Sequence, residues 1–183
     1  MDIIVLNGVP GGYDGGMDAY VGELSAQFVT GGHDVRDFRL RDMNLKYCTG
    51  CFGCWLKTPG LCMIKDDAEA IYRAYVMADL VIMASPVIMG FTSAVLKRAQ
   101  DRIIPLVLPY IEPVGGELHH PLRYNRKPLM GLLLEKSLDT DDEDLSIIRS
   151  TFERIAINAQ SRVAFSFLTD QPAREVCHAI NRI

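Results

Sequence analysis

Four of the five cysteines lie close together, in the pattern Cys48-x2-Cys51-x2-Cys54-x7-Cys62. Thiolates at such short spacing can converge on one metal ion or one iron–sulfur cluster. A [4Fe–4S] cluster often uses two C-x2-C steps and a more distant fourth ligand, whereas structural zinc sites more often pair two separated C-x2-C arms. Metal-free cysteines, either core thiols or redox-active residues, are the third interpretation. The spacing alone leaves all three open.

A glycine-rich loop is the second candidate for chemistry. The residues NGVPGGYDGG, from Asn7 to Gly16, follow a short apolar run and precede apolar residues at helical spacing. Such a loop can bring backbone N–H groups close to a phosphate at a helix N-terminus. It lacks both G-x-G-x-x-G and Gly-Lys-Ser/Thr, contains no Ser or Thr hydroxyl, and carries Asp14, which would repel an anion. A flexible turn without a ligand is therefore the alternative.

A third segment, ASPVIMGF from Ala84 to Phe91, follows another apolar run. A proline fixes the turn at Pro86, and Gly90 permits an unusual backbone angle. The apolar residues at this strand end, Ile88, Met89 and Phe91, are suited to pack against a planar ring. Alternatively, they belong to the core, where Met and Phe are usual.

The elements that must position these loops alternate regularly between strand and helix. Four buried apolar runs and one alternating segment predict five strands: Ile3–Leu6, Val35–Leu40, Leu80–Ala84, Leu129–Leu134 and Val163–Leu168. Helical periodicity lies between successive strands, including a helix from about Thr92 to Ile104. This order predicts an α/β fold with a doubly wound parallel sheet. Ligands of such folds bind beyond the carboxyl ends of the strands, where all three loops are expected.

Length and composition predict one domain over residues 1–183, with a cysteine-rich loop at 47–63 and an insertion at 105–128. The formal net charge of −4 favours no nucleic-acid or membrane partner. The first apolar run is interrupted by Asn7-Gly8, so we expect no signal peptide or membrane span and a cytoplasmic location. In such a reducing compartment, clustered cysteines indicate metal or redox chemistry rather than disulfides. His119 and His120 are expected to be exposed or interface residues.

The quoted motifs also carry a family resemblance. NGVPGGYDGG, MASPVIMGFTSAVLKRAQDR and CTGCFGCWLKTPGLCMIKDD resemble the corresponding segments of the NAD(P)H-dependent FMN reductase and iron–sulfur flavoprotein branch of the flavodoxin-like superfamily. The resemblance implies a flavodoxin-like sandwich with strand order 2-1-3-4-5. It also implies an FMN-dependent oxidoreductase that passes electrons from NAD(P)H to an acceptor, which is a small molecule or a protein. A homodimer or homotetramer is expected by the same resemblance.

The resemblance further implies which residues bind the cofactors. Around the FMN phosphate it places Gly8, Val9, Pro10, Gly11, Gly15 and Gly16, and around the isoalloxazine and ribityl chain Ser85, Pro86, Val87, Ile88, Met89, Gly90 and Phe91. In cluster-containing members, a compact cysteine run like that of Cys48, Cys51, Cys54 and Cys62 binds [4Fe–4S]. No side chain is expected to act as a general acid or base, because the flavin carries the redox chemistry. Two alternatives stay open, an iron–sulfur electron carrier and a flavin-free binding or sensing module.

Overall fold

The computed structural model describes residues 1–183, and its elements alternate much as the sequence predicts. In chain order they are β1 (Asp2–Asn7), α1 (Met17–Thr30), β2 (Asp34–Arg39), α2 (Gly53–Leu56), α3 (Ala68–Tyr75), β3 (Leu80–Ile88), β4 (Phe91–Thr92), α4 (Ala94–Gln100), β5 (Glu112–Val114), β6 (Glu117–His119), β7 (Leu129–Glu135), α5 (Asp142–Asn158), β8 (Val163–Leu168) and α6 (Ala173–Ile180). No helix is long and apolar enough to cross a membrane.

Five parallel strands form the central sheet in the order β2-β1-β3-β7-β8. Numbered as predicted strands, this is the order 2-1-3-4-5, so the predicted α/β flavodoxin-like topology is confirmed. The strand order reverses between β1 and β3, which places a crevice at the carboxyl ends of these two strands. The loop after β1 and the hairpin after β3 meet at this crevice.

Alternating side chains of β1 show how the sheet is covered. Ile3 and Val5 pack in an apolar cluster with α1 and α6, whereas Ile4 and Leu6 belong to a second cluster with α3, α4 and α5. Successive side chains of a strand point to opposite faces, so a continuous apolar run is needed when both faces are buried. The apolar runs of the sequence therefore correspond to buried parallel strands.

Three boundaries differ from the predictions. β3 does not end at Ala84 but continues through Ser85 and Pro86 to Ile88, because β4 pairs back onto it across a tight turn. The helix predicted for 92–104 is shorter and ends at Gln100. The predicted insertion contains a small antiparallel hairpin, β5 and β6. The first and third differences come from short antiparallel pairings between neighbouring segments.

Candidate functional site

The loop after β1 and the hairpin after β3 are joined by hydrogen bonds through Ser93. The backbone N–H of Gly8 donates to the carbonyl oxygen of Ala84 at 2.8 Å. The Ser93 hydroxyl donates to the carbonyl oxygen of Gly8, and the Ser93 N–H donates to the Ser85 hydroxyl at 2.8 Å. The same Ser93 oxygen accepts from the N–H of Leu96 and so caps α4. Ser93, which the sequence analysis missed, therefore fixes the relative position of the two predicted loops.

The β1–α1 loop exposes backbone donors to solvent. The N–H groups of Gly11, Gly12, Asp14 and Gly15 find no acceptor within the chain. At Gly11 and Gly12 an added Cβ atom would meet no other atom within 4 Å, so the space above the loop is open. Unpartnered N–H groups before a helix N-terminus suit an anion. The loop therefore fits the phosphate role that its glycines suggested.

A carboxylate from β7 reaches the same helix N-terminus. The N–H of Gly16 donates to Oε1 of Glu135 at 2.8 Å, while Oε2 of Glu135 is buried without a hydrogen-bond partner. Tyr13 lies against this carboxylate over Gly15. Burial, together with the neighbouring Glu135, raises the pKa of Tyr13 to about 12. Glu135 is 119 residues from Gly16 in sequence, so no local pattern marked it.

Arg41 is a second residue that sequence reasoning missed at this loop. Its guanidinium donates to the carboxylate of Asp18 at 3.0 Å and lies 3.4 Å from the carbonyl oxygen of Val9. Asn7 donates to the same carboxylate. Burial raises the pKa of Asp18, but the hydrogen bonds from Arg41 and Asn7 outweigh it and lower the pKa overall. The basic group nearest the loop is thus already paired.

The β3–β4 hairpin presents a half-buried, half-exposed apolar tip. Ser85, Pro86 and Val87 are buried in the sheet, and Phe91 is partly buried against the apolar cluster that contains α3, α4 and α5. Ile88 is partly exposed and Met89 is 93% exposed. Met89 and Gly90 both adopt positive φ angles, 51° and 74°, which turn the chain sharply back into β4. The exposed tip stands at the crevice edge, as a ring-binding loop requires.

The four clustered cysteines surround α2 with very different exposures. Cys48 and Cys51 are exposed, Cys62 is partly buried and Cys54 is buried. Burial, followed by the neighbouring Cys62, raises the pKa of the Cys54 thiol. A backbone hydrogen bond from Gly53, followed by one from the Thr49 side chain, lowers the pKa of Cys51. The donor chemistry fits a thiolate-bound group, although no three His, Cys, Asp or Glu side chains are arranged as a metal site.

A buried ion pair anchors the segment that carries these cysteines. Arg102 makes two hydrogen bonds to Asp66, at 2.7 and 2.9 Å, and both side chains are almost fully buried. Asp66 also accepts from the N–H of Lys46, on the other side of the cysteine run. Asp66 also accepts from the N–H of Ala68, the first residue of α3, so its carboxylate joins both ends of the cysteine segment to Arg102, two residues beyond α4.

Trp55 fixes the cysteine segment to the predicted insertion. Its indole N–H donates to the carbonyl oxygen of Val107 at 2.9 Å, and its ring lies between Phe52 and His120. These contacts pack the cysteine segment against the insertion. His119 is buried and bonded to Asn158, so the prediction that it is exposed or at an interface is wrong.

A cavity of about 470 Å³ lies away from both predicted loops. It lies between the C-terminal ends of α3, α4 and α5 and the insertion, and its lining includes Tyr75, Ile104, Leu122 and Ile155. The helices of this fold run antiparallel to the strands. Their C-terminal ends therefore lie near the amino ends of the strands, whereas the crevice lies at the carboxyl ends. None of the residues predicted to bind a cofactor lines it.

Residues 1–132 match a family described as NADPH-dependent FMN reductase. An iron–sulfur flavoprotein of Methanocaldococcus jannaschii is 35% identical over 118 residues, which cover 63% of this chain and 60% of that protein. An iron–sulfur flavoprotein of Archaeoglobus fulgidus is 34% identical over 89 residues, 49% of this chain and 38% of that protein. These matches therefore span less than two thirds of the length of each relative.

Solved structures with low sequence identity share the fold. An FMN-dependent NADH-azoreductase from Bacillus anthracis, solved in complex with FMN, superposes with a TM-score of 0.67 at 11% identity, covering 98% of this chain and 97% of that one. A flavodoxin from Megasphaera elsdenii gives a TM-score of 0.56 at 10% identity, with 99% of both chains covered. These structural similarities establish the fold. Membership of the family rests on the sequence matches.

Proposed function

The chain belongs to the NADPH-dependent FMN reductase family, and from this premise we propose that it binds FMN at the carboxyl edge of β1 and β3 and passes electrons from NAD(P)H to an acceptor. The observation that carries the proposal is the hydrogen-bonded junction of the two loops through Ser93. It holds an open, donor-rich glycine loop beside an exposed apolar hairpin tip. A flavin phosphate and a flavin ring need these two surfaces side by side.

Each loop has a separate part in this proposal. Gly8, Val9, Pro10, Gly11, Gly15 and Gly16 surround the phosphate, and the unpartnered N–H groups of Gly11 and Gly15 are the donors among them. Pro10 contributes shape alone because it has no N–H. The hairpin from Ser85 to Phe91 positions the ring with Val87 in the core and with Ile88, Met89 and Gly90 at the rim. FMN supplies the hydride and electron chemistry when bound. The protein's own task is orientation and exclusion of water.

Flavin and nicotinamide assays test this function directly. We expect added FMN to bind with quenching of its fluorescence, and the loaded protein to oxidise NADH or NADPH at about 1 per second or faster, within the usual enzyme range. Free flavin, a quinone and ferric iron would be compared as acceptors by loss of nicotinamide absorbance. A protein that is colourless after incubation with excess FMN and removal of the unbound flavin would overturn the proposal and favour the flavin-free module.

The four cysteines favour a second candidate, an iron–sulfur flavoprotein that relays single electrons between a [4Fe–4S] cluster and FMN. The supporting observations are the compact spacing of the four cysteines and the burial of Cys54 in α2. The curated relatives described above bear the name iron–sulfur flavoprotein. Cys48, Cys51, Cys54 and Cys62 would be the ligands.

Iron and sulfide analysis of protein purified without oxygen tests this candidate. We expect about four iron and four sulfide per chain, the content of one [4Fe–4S] cluster. Cys62→Ser should lose most of the iron, whereas Cys177→Ser, which changes a buried thiol on α6, should keep it. One zinc per chain without sulfide would identify a zinc site instead. Flavin bands without any metal would leave a plain FMN reductase with free thiols.

We also propose that the chain forms a homodimer or homotetramer through exposed apolar side chains of the cysteine segment and of the β3–β4 hairpin tip. Tyr47, Phe52, Leu56 and Met89 are each more than half exposed. Such side chains are typical of surfaces that a second subunit covers. Light scattering after size-exclusion chromatography measures the molar mass, and a monomer at micromolar concentration would contradict this part of the proposal.

A further inference from the structure

We propose that Glu135 lowers the affinity of this chain for phosphorylated flavins, because its carboxylate lies where the phosphate of FMN is expected. The inference rests on the proposed function, since it concerns the same crevice. Glu135 is the last residue of β7 and pairs in register with Pro86 of β3. Its position at the end of a buried strand aims the side chain across the crevice toward the start of α1.

The geometry at the start of α1 carries the argument. The N–H of Gly16, the residue just before the helix, donates to Oε1 of Glu135 at 2.8 Å. A helix N-terminus bears a partial positive charge and free N–H groups, and attracts one anion strongly. The Glu135 carboxylate already supplies an anion at this helix N-terminus. A phosphate bound at the loop would have to displace it or lie beside it.

The remaining charges do not offset this competition. Arg41 is paired with Asp18, and Asp14 adds another acidic group to the loop. The Glu135 carboxylate keeps its negative charge beside Tyr13 and the N–H of Gly16, so it would repel a phosphate bound next to it. The neutral ring and ribityl chain of a flavin meet no such obstacle. Riboflavin, which lacks the phosphate, should therefore bind independently of Glu135.

Two substitutions separate the effect of the negative charge of Glu135 from the effect of its side chain filling the position. Glu135→Gln keeps a side-chain oxygen that can accept from the Gly16 N–H but removes the negative charge. Glu135→Ala empties the position altogether. Glu143→Gln is the matched control, because it removes one charge from an exposed position in the first turn of α5.

Fluorescence titrations of the flavin-free protein with FMN and riboflavin provide the test. We expect Glu135→Gln and Glu135→Ala to lower the Kd of FMN about tenfold, the effect of ~1.4 kcal/mol. The Kd of riboflavin should change less than about twofold in all variants, as should the Kd of FMN for Glu143→Gln. Equal FMN affinity in the wild type and both Glu135 variants, or equal tightening for FMN and riboflavin, would overturn this inference alone. Failure of every variant to bind either flavin would overturn the proposed function and this inference with it.

Discussion

Replacing Arg102 by Met should reduce the free energy of unfolding by about 3–5 kcal/mol, as is usual when one partner of a buried ion pair is removed. Arg102 and Asp66 are 1% and 0% exposed at their side chains. The substitution leaves the Asp66 carboxylate buried without its cation. It also removes the link between α4 and the cysteine segment. Chemical denaturation followed by circular dichroism measures the loss.

Arg73→Met is the matched control for this prediction. Arg73 pairs with Glu69 one helical turn away, but both side chains are largely exposed, and such surface pairs contribute about 1 kcal/mol or less. A double variant, Asp66→Leu with Arg102→Met, should recover much of the lost stability, because an apolar pair of similar volume can replace a buried ion pair. If Arg73→Met and Arg102→Met reduced the free energy of unfolding equally, burial would not explain the effect of Arg102→Met.

The stability difference between the wild type and Arg102→Met should depend on pH in a defined direction. Burial raises the pKa of Asp66, but the hydrogen bonds from Arg102 and from the backbone of Lys46 outweigh it and lower the pKa below its ordinary value of 3.8. Ionised Asp66 therefore stabilises the wild type above that pH, and this contribution is lost as the pH falls through the folded-state pKa. Without Arg102, protonation relieves the unpaired buried charge. The stability difference between wild type and Arg102→Met should thus narrow as the pH is lowered.

The alternation of strands and helices could be predicted because it depends on local signals, whereas the strand order was implied by the family resemblance. Buried parallel strands such as Ile3–Leu6 and Leu129–Leu134 require continuous apolar runs, and alternation with helices limits the topology to few choices. The end of β3 could not be placed in this way. Ser85-Pro86 is a local signal for a turn, but the strand continues because Thr92 and Phe91 pair with Val87 and Ile88.

The two candidate loops were also predictable, since glycine and proline mark turns at the ends of apolar runs. Their long-range partners were not. Glu135 meets Gly16 across 119 residues, Arg102 meets Asp66 across 36 and Ser93 meets Gly8 across 85. From its local sequence alone, a charged or hydroxyl residue is expected to lie at the surface. Its partner is distant in sequence and comes close only when the sheet folds.

The second large effect is expected at Gly8, where the crevice has no room for a side chain. A Cβ atom there would lie 2.6 Å from Cβ of Leu96 and 3.0 Å from the carbonyl oxygen of Ala84. Both neighbours belong to regular elements and cannot move aside cheaply. Gly8→Val should therefore push the β1–α1 loop away from α4, and overpacking of this kind reduces the free energy of unfolding by about 1–3 kcal/mol.

The same displacement should break the hydrogen bonds that join Gly8 to Ser93 and Ala84, so that the two loops proposed to bind the flavin no longer keep their relative position. We expect the Kd of FMN to rise about tenfold or more, and that of riboflavin to rise with it, because the whole crevice is distorted. Gly11→Ala is the control, since its Cβ atom would meet nothing within 4 Å and both affinities should stay within about twofold. Tight flavin binding by a folded Gly8→Val protein would show that the crevice between β1 and β3 is not where the cofactor binds. A selective loss of FMN but not riboflavin would instead limit the role of Gly8 to the phosphate end, because only the phosphate distinguishes the two ligands.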